Sequence, residues 1–144
     1  MSTEENKAIV RRDWEETWNK GNLDTVDEIF ATTYVGHFLS PEFPPDLEGY
    51  KQFINKYRAA FPDLHITIED EIAEGDKVVT RFTSRGTHKG ELMGIAPTGK
   101  QVKVTGISIF RIASGKIVED WTEFDAVGML QQLGVMPASE EAGG

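Results

Sequence analysis

Glu119 and Asp120 stand side by side in the stretch KIVEDW, residues 116–121. The isoleucine, valine and tryptophan around them ask for a β-strand, and neighbouring side chains of a strand point to opposite faces. One of the two carboxylates therefore turns inward. A carboxyl in an apolar face must find hydrogen bonds or keep its proton, and full burial raises its pKa, in some cases by ~3 units or more. That brings it towards neutrality, where a general acid or base works best. The other candidates for proton chemistry are three histidines: His37 in TTYVGHFLSP, His65 in DLHITIED and His88 in RGTHKGE. Their spacing matches no zinc motif such as HExxH, and the chain has no GxSxG, GxGxxG or P-loop.

The elements that position these residues follow from periodicity. The N-terminal stretch STEENKAIVRRDWEETWNKGN begins with a capping box, Ser2 and Glu5, and carries Val10, Trp14 and Trp18 at i, i+4 and i+8 of a helix. Gly21 suits its C-cap, and Asn22 suits the cap of a short second helix with Val26, Ile29 and Phe30. After the proline-rich LSPEFPPDLEG, a third helix holds Phe53, Tyr57 and Phe61 on one stripe and ends at Pro62. From Leu64 the period becomes two. HITIEDEIAEGDKVVTRFTSRGTH and QVKVTGISIFRIASGKIVEDWTEF each read as two strands, joined at AEG and ASG. Both connections suit three-residue loops ending in a left-handed glycine, Gly75 or Gly115.

That loop type sets the expected register. It opposes Ser108 to Asp120, Phe110 to Val118, Gly106 to Thr122 and Val104 to Phe124 on one face. Ile107, Ile109, Arg111, Ile117, Glu119, Trp121 and Glu123 fall on the other. Ionisable groups crowd the second face, so Asp120 is the inward acid and Glu119 the outward one. In the first hairpin the same reasoning puts Ile66, Ile68, Phe82 and Thr80 inside, with Asp70 opposite Val78 on that face near the turn, and Glu71 opposite Lys77 outside. Ser84, Gly86 and His88 continue the inward face; His65 belongs to the surface. The segment KGELMGIAPTGK, with Met93 and Ile95 as apolar lining, is placed to cover a pocket mouth.

Composition narrows the partners. The chain has 144 residues, the size of one domain spanning 1–144, with a frayed tail over 137–144. Twenty-four acidic residues against 15 basic ones, with no basic stripe, exclude nucleic acid and anionic membrane as natural partners. The absence of cysteine removes disulfides, thiolate chemistry and cysteine-held metal. No signal-peptide core and no apolar span of ~20 residues is present, which makes the cytoplasm the expected location.

GNLDTVDEIFATTYVGH, AAFPDLHITIEDEIAEGDKVVTRFTSRGTHKGELMGIAPTGK and GISIFRIASGKIVEDWTEFDAVGMLQQLG together resemble the SnoaL-like polyketide cyclase (ester cyclase) family of the NTF2-like superfamily, over about Asn6 to Gly134. The resemblance implies an α+β fold: a cone-shaped barrel in which N-terminal helices pack on a curved antiparallel sheet around a hydrophobic cavity. It further implies a homodimer through the outer sheet face, where Ile107, Ile109 and Trp121 gather. Ring-closing members use no cofactor and employ a last-strand aspartate as acid/base for an intramolecular aldol condensation. Asp120 matches that region. Many members instead have histidine at the position of Asp120 and another near Ser108, and this chain departs at both.

Two functions follow as expectations. The first is an enzyme acting on a hydrophobic carbonyl-bearing small molecule. In it Asp120 is the acid/base, His37 or His88 donates to an oxyanion, and Ser108, Tyr34, Tyr57, Phe82, Met93 and Phe110 shape the pocket. A dehydratase or ketosteroid-isomerase-like reaction would use the same geometry. The second is a non-catalytic module that holds an apolar ligand in the same cavity.

Overall fold

In the computed structural model, which describes residues 2–37 and 42–136, helix α1 (Thr3–Arg12) runs without a break into a π-helical turn, Asp13–Trp18. The expected capping box is formed: Ser2 Oγ accepts from the Glu5 amide, and the Glu5 carboxylate accepts from the Ser2 amide. Helix α2 (Asp24–Ile29) is short, and Asn22 Oδ1 accepts from the Asp24 amide at its start. Phe30, expected in that helix, begins strand β1 (Phe30–His37) instead. Helix α3 (Leu47–Ala60) is capped by Asp46 and stops at Phe61, one residue before Pro62. Strands β2 (His65–Glu74), β3 (Lys77–Thr87), β4 (Gln101–Ala113) and β5 (Lys116–Phe124) follow, and helix α4 (Ala126–Gln132) closes the described chain. The expected frayed tail and the start of the proline-rich segment, within residues 38–41, lie outside the described residues.

The five strands lie in the order β1-β5-β4-β3-β2. Neighbours are antiparallel except β1, which runs parallel to β5. The sheet is curved and open, with β1 and β2 as its edges, so the cone expected from the resemblance does not close into a barrel. Helix α1 and its π-helical extension cross the concave side. Trp14 packs tilted against Phe82 at 4.8 Å and meets Phe110 edge-on at 5.8 Å, and its indole N–H reaches Thr80 Oγ1 at 3.2 Å. Gly106 makes room for this packing, because a Cβ there would fall 2.4 Å from the Phe82 ring.

The hairpin loops differ from expectation, and the difference propagates. Both are two-residue turns. In the β4–β5 turn Ser114 (φ 51°) and Gly115 (φ 75°) are both left-handed, as a type I′ turn requires. In the β2–β3 turn Gly75 takes φ 60° at the first central position. A bulge then restores parity in each hairpin. Ile112 pairs with Ile117 but Arg111 pairs with Glu119, leaving Val118 unopposed. The extra residue lets both Ile117 and Asp120 face inward, with Ile117 fully buried, although simple alternation had put Ile117 outside. Asp120 therefore sits opposite Phe110, and Ser108 opposite Thr122. A bulge at Glu69 does the same in β2: Asp70 is turned out to Arg81, 2.7 Å away, and Glu71 turns in opposite Thr80. The expected inward Asp70 and outward Glu71 are thus exchanged. Among the described residues, no helix is long and apolar enough to cross a membrane.

Candidate active site

Between α3, α4, the π-helical turn and the concave sheet lies a hollow of about 70 Å³. Aromatic side chains dominate its wall: Trp14 and Trp18 from the π-turn, Tyr50, Phe53 and Tyr57 from α3, and Phe82 and Phe110 from the sheet. Asp120 and Thr122 of β5 bring polar atoms to this surface. Burial pushes the Asp120 carboxyl up to about 7; the facing Tyr34 hydroxyl and the His37 backbone amide pull it down, while the charge of Asp13 pushes it further up. Tyr34 is buried behind the cavity wall, and neither its Oη nor Asp120 Oδ1 completes a hydrogen bond of normal geometry.

The other expected site residues divide into two groups. Tyr57, Phe82 and Phe110 line the hollow beside Asp120. Ser108 is buried but spends its hydroxyl on Thr122 Oγ1 at 2.8 Å, so Thr122 is the one that meets the cavity. His37 lies on the other side of the sheet. Its ring stacks on Trp121 at 5.2 Å and its Nε2 meets the Glu119 carboxylate at 2.8 Å, so only its backbone is near Asp120. The oxyanion donor expected at His37 is therefore not in the hollow. His88 is fully buried, but its Nδ1 accepts from the Thr98 amide and its ring leans on Phe61; it orders the segment before β4 and does not line the cavity. Met93 is 47% exposed at the tip of that segment. Lys89 and Gly90 donate to the Ala60 carbonyl, which docks the segment on the end of α3, and no residue of 89–100 lines the hollow it was expected to cover.

The sequence reading missed Asp13. This carboxylate is wholly buried at the first residue of the π-turn and accepts from Tyr50 Oη at 2.5 Å. Tyr50 in turn accepts from Trp18 Nε1 at 2.9 Å. Burial pushes the Asp13 carboxyl up to about 7, against the Tyr50 and Thr17 hydroxyls, which favour the ionised form. The signal was present: Asn6, Val10, Asp13 and Thr17 follow at steps of four, three and four, which is one helix face, and all four are buried. Among the described residues no three histidine or acidic side chains gather to hold a metal ion.

The resemblance implied an apolar hollow with an aspartate from the last strand, and Asp120 of β5 lies on the wall of such a hollow. A family model, the SnoaL-like polyketide cyclase, matches residues 8–133. The chain belongs to the SnoaL-like polyketide cyclase family. Among relatives, aklanonic acid methyl ester cyclase DnrD of Streptomyces peucetius is 32% identical over 135 residues, covering 88% of each chain. Nogalonic acid methyl ester cyclase of Streptomyces nogalater is 31% identical over 121 residues, covering 81% of this chain and 89% of the relative. Among solved structures, IdmH of Streptomyces antibioticus is 38% identical, with a TM-score of 0.79 over 90% of this chain and 99% of its own. These SnoaL-like relatives span nearly the whole of the fold described above, so the hollow and its β5 aspartate fall inside the shared region.

Proposed function

We propose that the protein is a cyclase that closes a ring within a hydrophobic polycarbonyl compound by an intramolecular aldol reaction, with Asp120 as its acid/base. One observation carries this reading: a buried carboxyl, held near neutrality by burial, on the wall of an otherwise apolar hollow. In the ionised state Asp120 removes a proton from carbon next to a carbonyl. The electron pair moves onto the carbonyl oxygen, the enolate carbon bonds to a second carbonyl carbon of the same molecule, and the new alkoxide takes the proton back from Asp120. The reaction is an isomerisation, balanced by proton transfer alone.

The two ester cyclases named above, with the family description, suggest the substrate class, a methyl ester of a polyketide acid. Such a molecule needs more room than about 70 Å³, since ligand pockets measure roughly 300–1,000 Å³. The hollow must widen on binding, and Tyr57 and Phe124 are the half-buried aromatic side chains of the wall with solvent to move into. The test is turnover of aklanonic acid methyl ester and nogalonic acid methyl ester by the wild type and by Asp120→Asn. Consumption of an ester to an isomer of equal mass, lost in the variant, supports the reading. Binding of both esters with no chemical change would leave the protein a ligand-holding module and overturn it.

A further inference from the structure

Asp13 has no place in the mechanism above, yet it is the most deeply buried acid among the described residues and is hydrogen-bonded to a residue of the cavity wall. Its Oδ2 meets Tyr50 Oη at 2.5 Å, and Tyr50 lines the hollow together with Asp120. Its Oδ1 completes no hydrogen bond of normal geometry, and only the neighbouring Thr17 hydroxyl favours its ionised form from that side. A carboxylate held only in this way is costly, and an apolar residue on that helix face would cost less. Asp13 opens the π-turn, whose buried residues are Asp13, Trp14, Thr17 and Trp18. Such turns are frequent at functional sites.

We propose that Tyr50 is the hydroxyl that receives the developing enolate oxygen, and that Asp13 positions it by sharing one proton with Asp120. The inference rests on the aldol reading of the same cavity. Its logic lies in hydrogen-bond direction. Tyr50 Oη already accepts from Trp18 Nε1. When Asp13 is ionised, Tyr50 must give its own proton to that carboxylate. When Asp13 is protonated, the carboxylic acid donates to Tyr50 Oη, and the phenol O–H turns to a ligand oxygen in the hollow. Tyr50 remains a phenol throughout, since burial and the two acids hold its pKa well above the ordinary tyrosine range.

Asp13 and Asp120 are linked through two tyrosines whose rings lie 5.7 Å apart: Tyr50 bonds Asp13, and the Tyr34 hydroxyl faces Asp120. The titratable groups around Asp13 are Tyr50 from α3, Tyr34 from β1 and Asp120 from β5, and each feels its charge. Two carboxylates that repel across a dry site do not both ionise readily, so the pair holds one proton over a range of pH and loses it in a second, later step. With that proton on Asp13, Asp120 is ionised and able to take the C–H proton while Tyr50 is turned to stabilise the enolate oxygen. After ring closure Asp120 returns its proton to the new alkoxide, and Asp13 and Tyr50 end as they began.

The experiment measures pH profiles of kcat and KM for aklanonic acid methyl ester with the wild type and with Tyr50→Phe, Asp13→Leu and Asp13→Asn, each checked for folding by circular dichroism. Tyr50→Phe should lower kcat about 100-fold with KM little changed, the effect of losing one oxyanion donor. Asp13→Leu should lower kcat about 10-fold or more. In Asp13→Asn the amide donates permanently to Tyr50 Oη, so most of that loss should be recovered and the alkaline limb of the profile should disappear. A wild-type-like alkaline limb in Asp13→Asn overturns the proposal. A second readout needs no turnover: infrared difference titration of the free protein follows the carbonyl band of protonated carboxylic acid. The Asp13 band should titrate at lower pH in Asp120→Asn than in the wild type. An unchanged titration also overturns the pairing. Absence of turnover by the wild type would count against the aldol reading, and the infrared titration would then decide the pairing alone.

Discussion

Asp120 shows how far alternation along a strand can be trusted. Period two put it inside and Glu119 outside, and both are so, with Glu119 meeting Arg111 at 3.1 Å. Its cross-strand partner was misread, because Phe110 and not Ser108 lies opposite. Asp120→Asn preserves shape and removes the base; kcat/KM for ring closure should fall by at least about 100-fold, read by product formation under single-turnover conditions. The buried acids also predict how stability follows pH. An unfolded aspartate titrates near ~3.9, whereas Asp13 and Asp120 are pushed up to about 7 in the fold. The folded state therefore binds more protons between those values, and stability falls as pH rises from about 4 towards 7, by at most ~1.4 kcal/mol per pH unit for each independent group. Glu16, Asp63 and Glu119 are held below their ordinary range by Arg12, Thr87 and His37 respectively, and they lose their contribution only on stronger acidification. Urea midpoints should thus fall between pH 5 and pH 7, and fall less in Asp13→Asn or Asp120→Asn. A flat profile in the wild type would contradict the burial argument.

At the scale of elements, hairpin turns and bulges act as coupled parts. A type I′ turn at Ser114 and Gly115 shifts the β4–β5 pairing from the register a three-residue loop would give, and the unopposed Val118 shifts it again. Each event alone is invisible to a reading based on hydrophobic alternation, because alternation cannot count residues that oppose nothing. The same holds in β2, where the bulge at Glu69 exchanges the faces of Asp70 and Glu71. Ser114 is the weak member of its turn, a non-glycine residue at φ 51°. Ser114→Asn, which tolerates that conformation, should stabilise the protein by roughly 0.5 kcal/mol, and Ser114→Val should destabilise it by about 1–2 kcal/mol. Thermal unfolding of the three forms checks the order. Helix α1 teaches the complementary lesson: its start was legible from the Ser2–Glu5 box, but the π-turn that carries Asp13 has no sequence code of comparable strength.

For the whole molecule, the convex sheet face carries a row of side chains in register across five strands: Ile72, Val79, Ile109, Trp121 and His37, with Ile107 48% exposed beside it. We propose that a second copy of the chain covers this band, because a row this apolar on a charged surface otherwise stays in water. Sedimentation velocity should then give a dimer at micromolar concentration for the wild type and a monomer for Ile107→Glu. A monomeric wild type would end that proposal. By itself the sequence determined the first three helices, the four strands after Leu64 and the inward aspartate, since those depend on periodicity and side-chain chemistry within a few residues; strand β1 and the π-helical turn were not legible in it, and the hollow was implied by the family resemblance. Tertiary structure decided the rest. Whether the sheet closes, which histidines reach the cavity, and that Asp13 stands behind Tyr50 depend on contacts between residues tens of positions apart, formed where bulges and a widened helical turn break the regular spacing.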